Sequence, residues 1–551
     1  MRSICLYFHV HQPYRLRTYR FFNIGADHHY FDDYQNRHII RRIAEKCYLP
    51  ANKMMLDLIR EYGTAFKISY SISGTALMQL QEYAPEVIKS FQQLAKTGSV
   101  EFIAETYAHS LVSLIDKDEF IRQTGQHVSA IEQVFGKKPV TFRNSELLYS
   151  DAIGETVAEM GFKTMMTEGA RHILGWKSSN YMYCNSINPK LKLLLRNFRL
   201  SDDISFRFSS RDWQEWPLTA DKFVGWLNHI HHQEEVVNVF IDYETIGERQ
   251  WKESGIFDFF WSLPRKVLSL SDFTFSTPSE LTSILQPVAS INVPHPITWA
   301  DEERDLTSWL GNELQDEAFH KLYSVRDRIR KIDDPAILRD WNLLQTSDHF
   351  YYMSTKWFSD GAVHKYFNPY PSPYEAFINY MNVLSDFIIR VEDALSIPEV
   401  ERVQAEEKIP EETKKAKAGR KPAPKEGKLV SVKTRKVTKK AIREKKTEKK
   451  KASGLPKKEK KEKEFTKLNV ENLIGLSDRK VKMLVRNLDI ETLSYAMKGA
   501  EKEVREKIEK NLGKRALKAY HDILKQIRSI HDSEIKKSKK LFEKQIRAIL
   551  K

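Results

Sequence analysis

Short runs of β-branched and aromatic residues alternate with longer amphipathic segments over roughly the first 270 residues of the chain. The short runs predict seven strands, at Ser3–Phe8, Phe66–Tyr70, Val100–Ile103, Val140–Phe142, Lys163–Met166, Lys192–Leu195 and Val236–Ile241. Helical spacing predicts intervening helices such as Lys53–Tyr62, Ala84–Thr97, Asp118–Phe135, Asp151–Met160 and Ala220–Gln233. Strand–helix alternation is typical of a parallel sheet with crossover helices. The pattern therefore predicts an α/β fold, an incomplete (β/α)7 TIM-like barrel spanning residues 1–298.

The pattern changes after the barrel. From 299 to 398 the apolar residues recur only at helical spacing, as in Leu314–Ile329 and Tyr374–Leu395, which predicts a helical subdomain packed on the barrel. Residues 399–464 form a tract rich in Lys, Glu, Pro and Ala that cannot bury enough apolar surface to fold, so we expect a disordered linker. Helical spacing returns over 465–551 and predicts a small all-α C-terminal module.

Charge is distributed very unevenly along the chain. The formal net charge is +15 overall, +15 over residues 401–470 and +9 over 471–551, so the first 400 residues carry −9. An acidic body rich in aromatic residues suits a neutral polyol substrate. The basic C-terminal region suits an anionic partner, either nucleic acid or an acidic protein.

The cysteine content and the length of the apolar runs indicate the cellular compartment of the protein. Three cysteines without paired spacing indicate neither a disulfide framework nor a Cys-x-x-Cys metal site. No apolar run resembles a signal peptide or reaches the length of a bilayer span, so we expect a cytoplasmic protein without membrane contact.

Clusters of polar residues follow four of the predicted strands. They are His9-Val10-His11-Gln12-Pro13, Glu105-Thr106-Tyr107-Ala108-His109, Glu146, and Asp242-Tyr243-Glu244. Barrel enzymes place catalytic groups at the C-terminal ends of their strands, so we expect these clusters to converge. Two facing carboxylates are the minimal apparatus for splitting a glycosidic bond. Taken singly, each carboxylate is more often a solvated loop charge or a helix-start charge.

The same residues resemble signatures of glycoside hydrolase family 57. His9–Pro13, Gly98–Glu101, Phe142–Leu147 and Phe240–Gly247 occur in the family's order, and Ala300–Asn312 resembles its α-amylase-type branch. The resemblance covers about residues 1–395 and implies a retaining enzyme acting on α-glucans. It implies Glu146 as the nucleophile and Asp242 as the acid/base. Because both Glu146 and Asp242 are present, the chain does not resemble the inactive, amylase-like members of the family.

These two roles place demands on the site. Retention requires the two carboxyl groups to lie about 5–5.5 Å apart. Asp242 must stay protonated near neutral pH, so we expect burial or a neighbouring negative charge, supplied by Glu244, to raise its pKa. We expect Arg143 to offset the charge of Glu146 and keep it ionised.

The residues predicted to contact the substrate are His9, His11, Glu105, His109, Arg143, Glu244, Asp305 and Trp309. The resemblance implies that His9 and His11 hydrogen-bond the sugar beside the cleaved bond, and Glu105 and His109 are interpreted as subsite contacts. Structural roles and a hydrolytic metal site remain alternatives for the histidines, and the i,i+4 spacing of Glu105 and His109 also suits a metal if helical. We expect no metal and no cofactor.

Aromatic residues offer faces on which sugar rings stack. Candidates are Trp216, Trp251, Trp299, Trp309 and Tyr243, with core packing as the alternative for each. Trp309 is the better-supported candidate, because it lies with Asp305 in a motif that resembles the family. This motif predicts that the helical region closes one side of the cleft.

The C-terminal module is less informative. Leu473–Ser477 with Val481–Leu488 weakly resembles a helix-hairpin-helix, and Ala496–Ala516 resembles the helical domain of the flagellar motor switch protein G. A basic helical bundle without a binding role is the alternative.

The sequence favours an α-amylase cleaving internal α-1,4 bonds of starch or glycogen. A 4-α-glucanotransferase or glycogen branching enzyme would use the same catalytic pair. Two further candidate functions are a non-catalytic glucan-binding scaffold and a metal hydrolase.

Overall fold

The computed structural model describes residues 2–356 and 368–396, and in the C-terminal region residues 481, 493–494, 497, 502–512, 517 and 520–521. The chain divides into two compact units, Met1–Arg420 and Lys421–Lys551. The predicted linker at 399–464 lies outside the described residues.

The strands of the first unit follow the predicted pattern. They are β1 (Arg2–Val10), β2 (Ile68–Ile72), β3 (Val100–Phe102), β4 (Thr141–Arg143), β5 (Thr164–Glu168), β6 (Met182–Asn185), β7 (Lys192–Arg196), β8 (Val236–Asp242), β9 (Phe273–Phe275) and β10 (Ala289–Ile291). All seven predicted strands are present. The prediction missed β6, β9 and β10, which have three or four residues each.

Seven of these strands, all but β6, β9 and β10, form a barrel. One sheet has the order β3-β2-β1-β8, with β9 also paired to β1, and the other has the order β10-β6-β7-β5-β4. Pairing is parallel throughout except between β6 and β7. A parallel bridge between Ala104 and Phe142 joins β3 to β4. On the other side Asn197 donates its backbone N–H to Asn238 over 2.8 Å and joins β7 to β8. The predicted (β/α)7 barrel is therefore confirmed, one strand short of the usual eight.

Helices connect and cover the strands. They are α1 (Asp33–Ile43), α2 (Leu49–Tyr62), α3 (Gly74–Tyr83), α4 (Pro85–Ala95), α5 (Lys117–Phe135), α6 (Asp151–Glu159), α7 (Arg171–Leu174), α8 (Phe198–Asp202), α9 (Ala220–Asn228), α10 (Ile256–Leu270) and α11 (Pro278–Ile284). Local chemistry sets their ends: Asp116 caps the start of α5 by accepting from the backbone N–H of Glu119, and Gly136 ends it in the left-handed conformation.

Side-chain alternation along β1 and β8 decides what faces the barrel interior. Cys5 and Tyr7 join Phe240 in the small core inside the barrel, whereas Ile4 and Phe8 pack outward against the helices. Because side chains alternate along a strand, His9 shares the inward face of Cys5 and Tyr7, and Asp242 shares that of Phe240. The two polar residues therefore reach the C-terminal mouth of the barrel.

Among the described residues 313–356 and 368–396 all the elements are helices, as predicted. They are α12 (Glu313–Tyr323), α13 (Arg326–Ile329), α14 (Pro335–Leu344), α15 (Ser347–Tyr351) and α16 (Pro373–Ser396). The run with helical spacing at Leu314–Ile329 forms two helices, α12 and α13. These helices share a core with the barrel, in which Trp341 and Phe387 belong to the same buried cluster as Phe142.

In the C-terminal region the structure describes one helix, α17 (Lys502–Asn511), with Val504 and Ile508 buried. Most of the predicted small module lies outside the described residues. No helix in the described part of the chain is long and apolar enough to cross a membrane.

Candidate active site

The predicted clusters converge at the mouth of the barrel. His9 is the penultimate residue of β1, Arg143 ends β4 and Asp242 ends β8. Glu146 lies in a single 3-10 turn after β4, and the loop after β3 supplies Glu105 and His109. His9, Glu105, His109, Arg143 and Glu146 are all buried.

Glu146 is held by donors from three separate parts of the chain. The indole N–H of Trp299 donates to its Oε2 over 2.8 Å, and the Ser347 hydroxyl donates to its Oε1 over 2.8 Å. Nε2 of His109 lies 3.3 Å from the same Oε1. Glu146 itself has φ 56°, a left-handed conformation that is uncommon outside glycine and asparagine and is often retained at functional sites.

Charge around Glu146 favours the ionised carboxylate. Burial opposes ionisation, but the hydrogen bond and positive charge of His109, together with Arg143, lower the pKa of Glu146 to about 2. Burial also opposes a charge on His109, but its hydrogen bonds to Glu105 and Glu146 raise its pKa to about 9. Arg143 thus acts in the predicted direction, with His109 the larger influence.

His9 lies between the two halves of the site. Its ring stacks on that of His109 with 4.8 Å between centroids, and its Nδ1 lies 3.5 Å from Oδ1 of Asp242. Its Nε2 accepts from Nη1 of Arg143 over 3.4 Å. The adjoining rings of His9 and His109 therefore connect Asp242 to Glu146.

Asp242 does not have the predicted raised pKa. Its side chain is only 17% exposed, but Nη1 of Arg249 donates to its Oδ2 over 2.6 Å. Although burial favours the neutral acid, Arg249 and His9 hold the pKa of Asp242 below its ordinary value. The prediction was wrong for this arrangement because an arginine in the loop after β8 pairs with the carboxylate.

Glu244 is the carboxyl group beside Asp242 that keeps its proton more readily. It is buried in the turn after β8, where its Oε1 accepts from the Tyr48 hydroxyl and from Nε2 of Gln12 over 3.4 Å. Burial and the charge of Asp242 raise the pKa of Glu244. Of the two carboxyl groups, Asp242 is therefore the more readily ionised.

His11 lies at the side of the site nearest the helical region. Its Nδ1 lies 2.7 Å from the Ser73 hydroxyl, its Nε2 lies 2.9 Å from Oδ2 of Asp348, and its ring stacks 3.9 Å from that of His109. Burial and the nearby charge of His109 lower the pKa of His11 to about 4. A neutral ring with its proton on Nε2 fits both partners.

Three site residues form a group that could hold a metal ion. Ligand atoms of His9, Glu105 and His109 all lie within 4.8 Å of one another. The guanidinium of Arg143 lies 3.4 Å from Nε2 of His9 and 3.7 Å from Oε2 of Glu105. The positive charge of Arg143, next to His9 and Glu105, repels a metal cation and therefore disfavours metal binding at this group.

Several predicted sugar contacts lie away from this site. Trp309 is buried in the core and packs on Tyr351. Tyr243 is buried between the barrel strands and the surrounding helices, where its hydroxyl donates to Oδ1 of Asn52. Oδ1 of Asp305 accepts from the backbone and hydroxyl of Thr307 and stabilises a local turn. Alternation along the strand explains Tyr243, which follows the inward Asp242 and so faces outward.

Sequence reasoning missed Arg249, Ser347 and Asp348, and the hydrogen bond that Trp299 makes. Trp299 remains a candidate stacking platform, and its N–H donates to Glu146. Ser347 and Asp348 lie in the first turn of α15, in a region predicted only as helical. Arg249 carried one usable signal, since it lies seven residues after Asp242 in the same strand-end loop.

Comparison with known proteins identifies the family. Residues 5–294 match the sequence model described as Glycosyl hydrolase family 57. A Methanocaldococcus jannaschii protein described as "Putative alpha-amylase" is 41% identical over 409 residues, covering 72% of this chain and 86% of that protein. The chain belongs to glycosyl hydrolase family 57. The family 57 chain is thus a glycosidase, and the predicted resemblance is confirmed.

Solved structures similar to this family 57 chain include two enzymes. The 4-alpha-glucanotransferase from Thermococcus litoralis is 14% identical with a TM-score of 0.49, over 63% of this chain and 56% of that one. This chain thus spans just over half of that enzyme. A GH57 branching enzyme from Thermococcus kodakaraensis is 13% identical with a TM-score of 0.49, over 71% of this chain and 94% of that one.

The C-terminal region of the family 57 chain has its own match. Residues 460–550 match the model of the FliG C-terminal domain, in the region where the sequence resembles the flagellar motor switch protein G.

Proposed function

We propose that this enzyme is an α-amylase that cleaves internal α-1,4-glucosidic bonds by double displacement. The observation that carries the proposal is the state of Glu146, a buried carboxylate whose pKa is nevertheless lowered to about 2. A nucleophile must be ionised and freed of its water shell, and this environment provides both conditions. Asp242 is the second carboxylate, connected to the first through His9 and His109.

In the first step Glu146 attacks the anomeric carbon and forms a covalent glycosyl-enzyme, while Asp242 protonates the departing glycosidic oxygen. In the second step Asp242 takes a proton from water, which attacks the anomeric carbon and releases Glu146. Atoms and charge balance over the two steps, and the product keeps its anomeric configuration.

Asp242 must gain a proton before the first step. Its ion pair with Arg249 opposes this, so the pair has to loosen when glucan enters the site. The neighbouring Glu244, whose pKa is raised by burial and by the charge of Asp242, is the nearby carboxyl group that takes up a proton more readily. Nε and Nη2 of Arg143 are buried and have no hydrogen-bond partner among the described residues, so a sugar hydroxyl could reach them only if the site opens when glucan binds.

The test is the product profile from a defined maltooligosaccharide, with Glu146→Gln in parallel. We expect only shorter products from the parent protein and none from the variant. Glu159→Gln is the matched control, because Glu159 is an exposed carboxylate paired with Lys117 and lies outside the site. Loss of activity in Glu146→Gln with an unchanged melting temperature excludes misfolding.

A 4-α-glucanotransferase or branching enzyme is the second candidate. The glycosyl-enzyme on Glu146 transfers to whichever hydroxyl reaches it, so the same residues serve both reactions. Longer products appearing beside shorter ones would favour transfer, and new α-1,6 linkages would favour branching.

We also propose that the region from 399 to 551 binds an anionic partner. Support comes from its excess of Lys and Arg, which amounts to +15 over 401–470 and +9 over 471–551. Deleting residues 401–551 should abolish salt-sensitive retention on a polyanion column while leaving turnover of short glucans intact. Loss of that turnover would contradict the predicted separation of the modules.

A cytoplasmic location is part of the same proposal. Cys5, Cys47 and Cys184 are buried and unpaired, as is usual in a reducing compartment. Fractionation of cells that express the native protein would test it.

A further inference from the structure

A groove of about 800 Å³ runs along the outside of the barrel between α2 and α10. Its lower walls are side chains of the two helices, among them Met54 and Asp57 on α2 and Phe257 and Trp261 on α10. The loop after β8 closes its upper end with Gly247 and Trp251. None of the residues placed in the candidate active site lines this groove.

Two tryptophans in the groove are unusually exposed. Trp251 is 62% exposed and Trp261 47% exposed, although large aromatic side chains normally bury most of their surface. An indole ring that faces solvent does not gain the free energy of removing its apolar surface from water. Exposed aromatic side chains that share one concave surface therefore indicate a binding site.

The polar residues of the groove indicate what covers these rings. Carboxylates are contributed by Glu45, Asp57, Glu253 and Asp258, and ammonium groups by Lys46, Lys53 and Lys252. Signs are mixed and nearly balanced, which does not suit a nucleic acid or another polyanion. Aromatic faces bordered by hydrogen-bonding groups of both kinds suit a neutral polyol, whose C–H faces stack on indole and whose hydroxyls donate and accept.

The groove adjoins the loop that carries Arg249. Gly247 has φ +101°, and a Cβ there would lie 2.2 Å from the backbone oxygen of Lys46. Only glycine allows the loop to approach the chain leading into α2 so closely. The upper end of the groove therefore lies in the same loop that pairs Arg249 with Asp242.

We propose that this groove is a second glucan-binding site, which holds a distant part of the polymer whose bond is cut at Glu146. The inference rests on the proposed function, in that the substrate is taken to be an α-glucan. Binding at two points of one chain raises the local concentration of cleavable bonds. The benefit applies to polymers and not to oligosaccharides too short to reach both sites.

The test measures glucan binding separately from turnover. Electrophoresis in native gels containing glycogen is run with Glu146→Gln as the parent, so that the polymer is not degraded. We expect Trp261→Ala to weaken the retardation by about tenfold in apparent affinity, because it removes one stacking face. Trp261→Phe keeps an aromatic face and should restore most of it. Trp176→Ala is the matched control, since Trp176 is 93% exposed and lies outside the groove.

In protein that retains Glu146, Trp261→Ala should lower kcat/KM on glycogen several-fold and change that on maltopentaose less than about twofold. Equal retardation of Trp261→Ala and its parent, or no retardation of the parent, would overturn the second site. If retardation depends on Trp261 but the active protein cuts no α-glucan, the groove stands as a glucan site and the proposed function fails. If the active protein cuts glycogen but retardation does not depend on Trp261, the proposed function stands and the second site fails.

Discussion

The Nε2 atom of His109 lies 3.3 Å from Oε1 of Glu146, while Nδ1 of the same ring lies 2.8 Å from Oε2 of Glu105. A histidine that donates from both nitrogens carries a positive charge, and this one is buried between two carboxylates. His109 therefore keeps the proposed nucleophile ionised without water.

Replacing His109 by glutamine should alter how stability depends on pH. The pKa of His109 is raised to about 9, above the ordinary 6.5, so its stabilising charge is fully present below about pH 6.5 and is lost as pH rises through about 9. Melting temperatures at about pH 6 and pH 9.5 should show a larger fall for the parent than for His109→Gln. Equal falls would mean that His109 is neutral in the folded protein.

Replacing Arg249 by glutamine should move the basic limb of the kcat/KM profile. This limb reports the acid of the free enzyme, which the proposal assigns to Asp242. Removing the guanidinium 2.6 Å from Asp242 raises the pKa of that carboxyl group, so the limb should shift upward by about one to three pH units. Arg249→Lys keeps the charge and should shift it far less. If the basic limb of Arg249→Gln does not move, Asp242 is not the acid that this limb reports.

Replacing Trp299 by phenylalanine should slow the reaction while preserving the fold. The change keeps an aromatic ring but removes the N–H that donates to Oε2 of Glu146 over 2.8 Å. A hydrogen bond to a charged group contributes about 1.5–3 kcal/mol, so kcat should fall by about 10- to 100-fold. Ser347→Ala removes the donor to the other oxygen and should cost a similar factor. Unchanged kcat in both variants would show that these donors do not position the carboxylate during the reaction.

Chelation should leave activity intact. Arg143 already places a positive charge against His9 and Glu105, two of the three groups that could bind a metal. Activity after dialysis against EDTA should match that of untreated protein, and elemental analysis should find less than stoichiometric metal. Activity lost on dialysis and restored by zinc would instead favour a metal hydrolase.

The barrel was predictable because its signals are local. The seven barrel strands are short runs that the sequence pattern predicts, and polar clusters that contain the site residues follow four of them. His9, Glu105, His109 and Glu146 come together for that reason alone.

Long-range partners were not predictable from such signals. Ser347 contacts Glu146, 201 positions away in sequence, and Asp348 contacts His11, 337 positions away. Both lie on a helix, and the spacing of apolar residues along a helix predicts only which of its faces is buried. The pKa of Asp242 was mispredicted because it depends on where the side chain of Arg249 points, which the spacing does not determine.

Trapping the covalent intermediate tests the central claim most directly. Asp242→Asn incubated with α-maltosyl fluoride should complete the first step, since fluoride leaves without protonation, and stall at the second, which lacks its base. We predict a protein whose mass is higher by one maltosyl group, attached to the peptide that contains Glu146, and no label when Glu146→Gln is added to the same variant. Release of fluoride without any label, or a label on another residue, would contradict the assignment of Glu146 as the nucleophile.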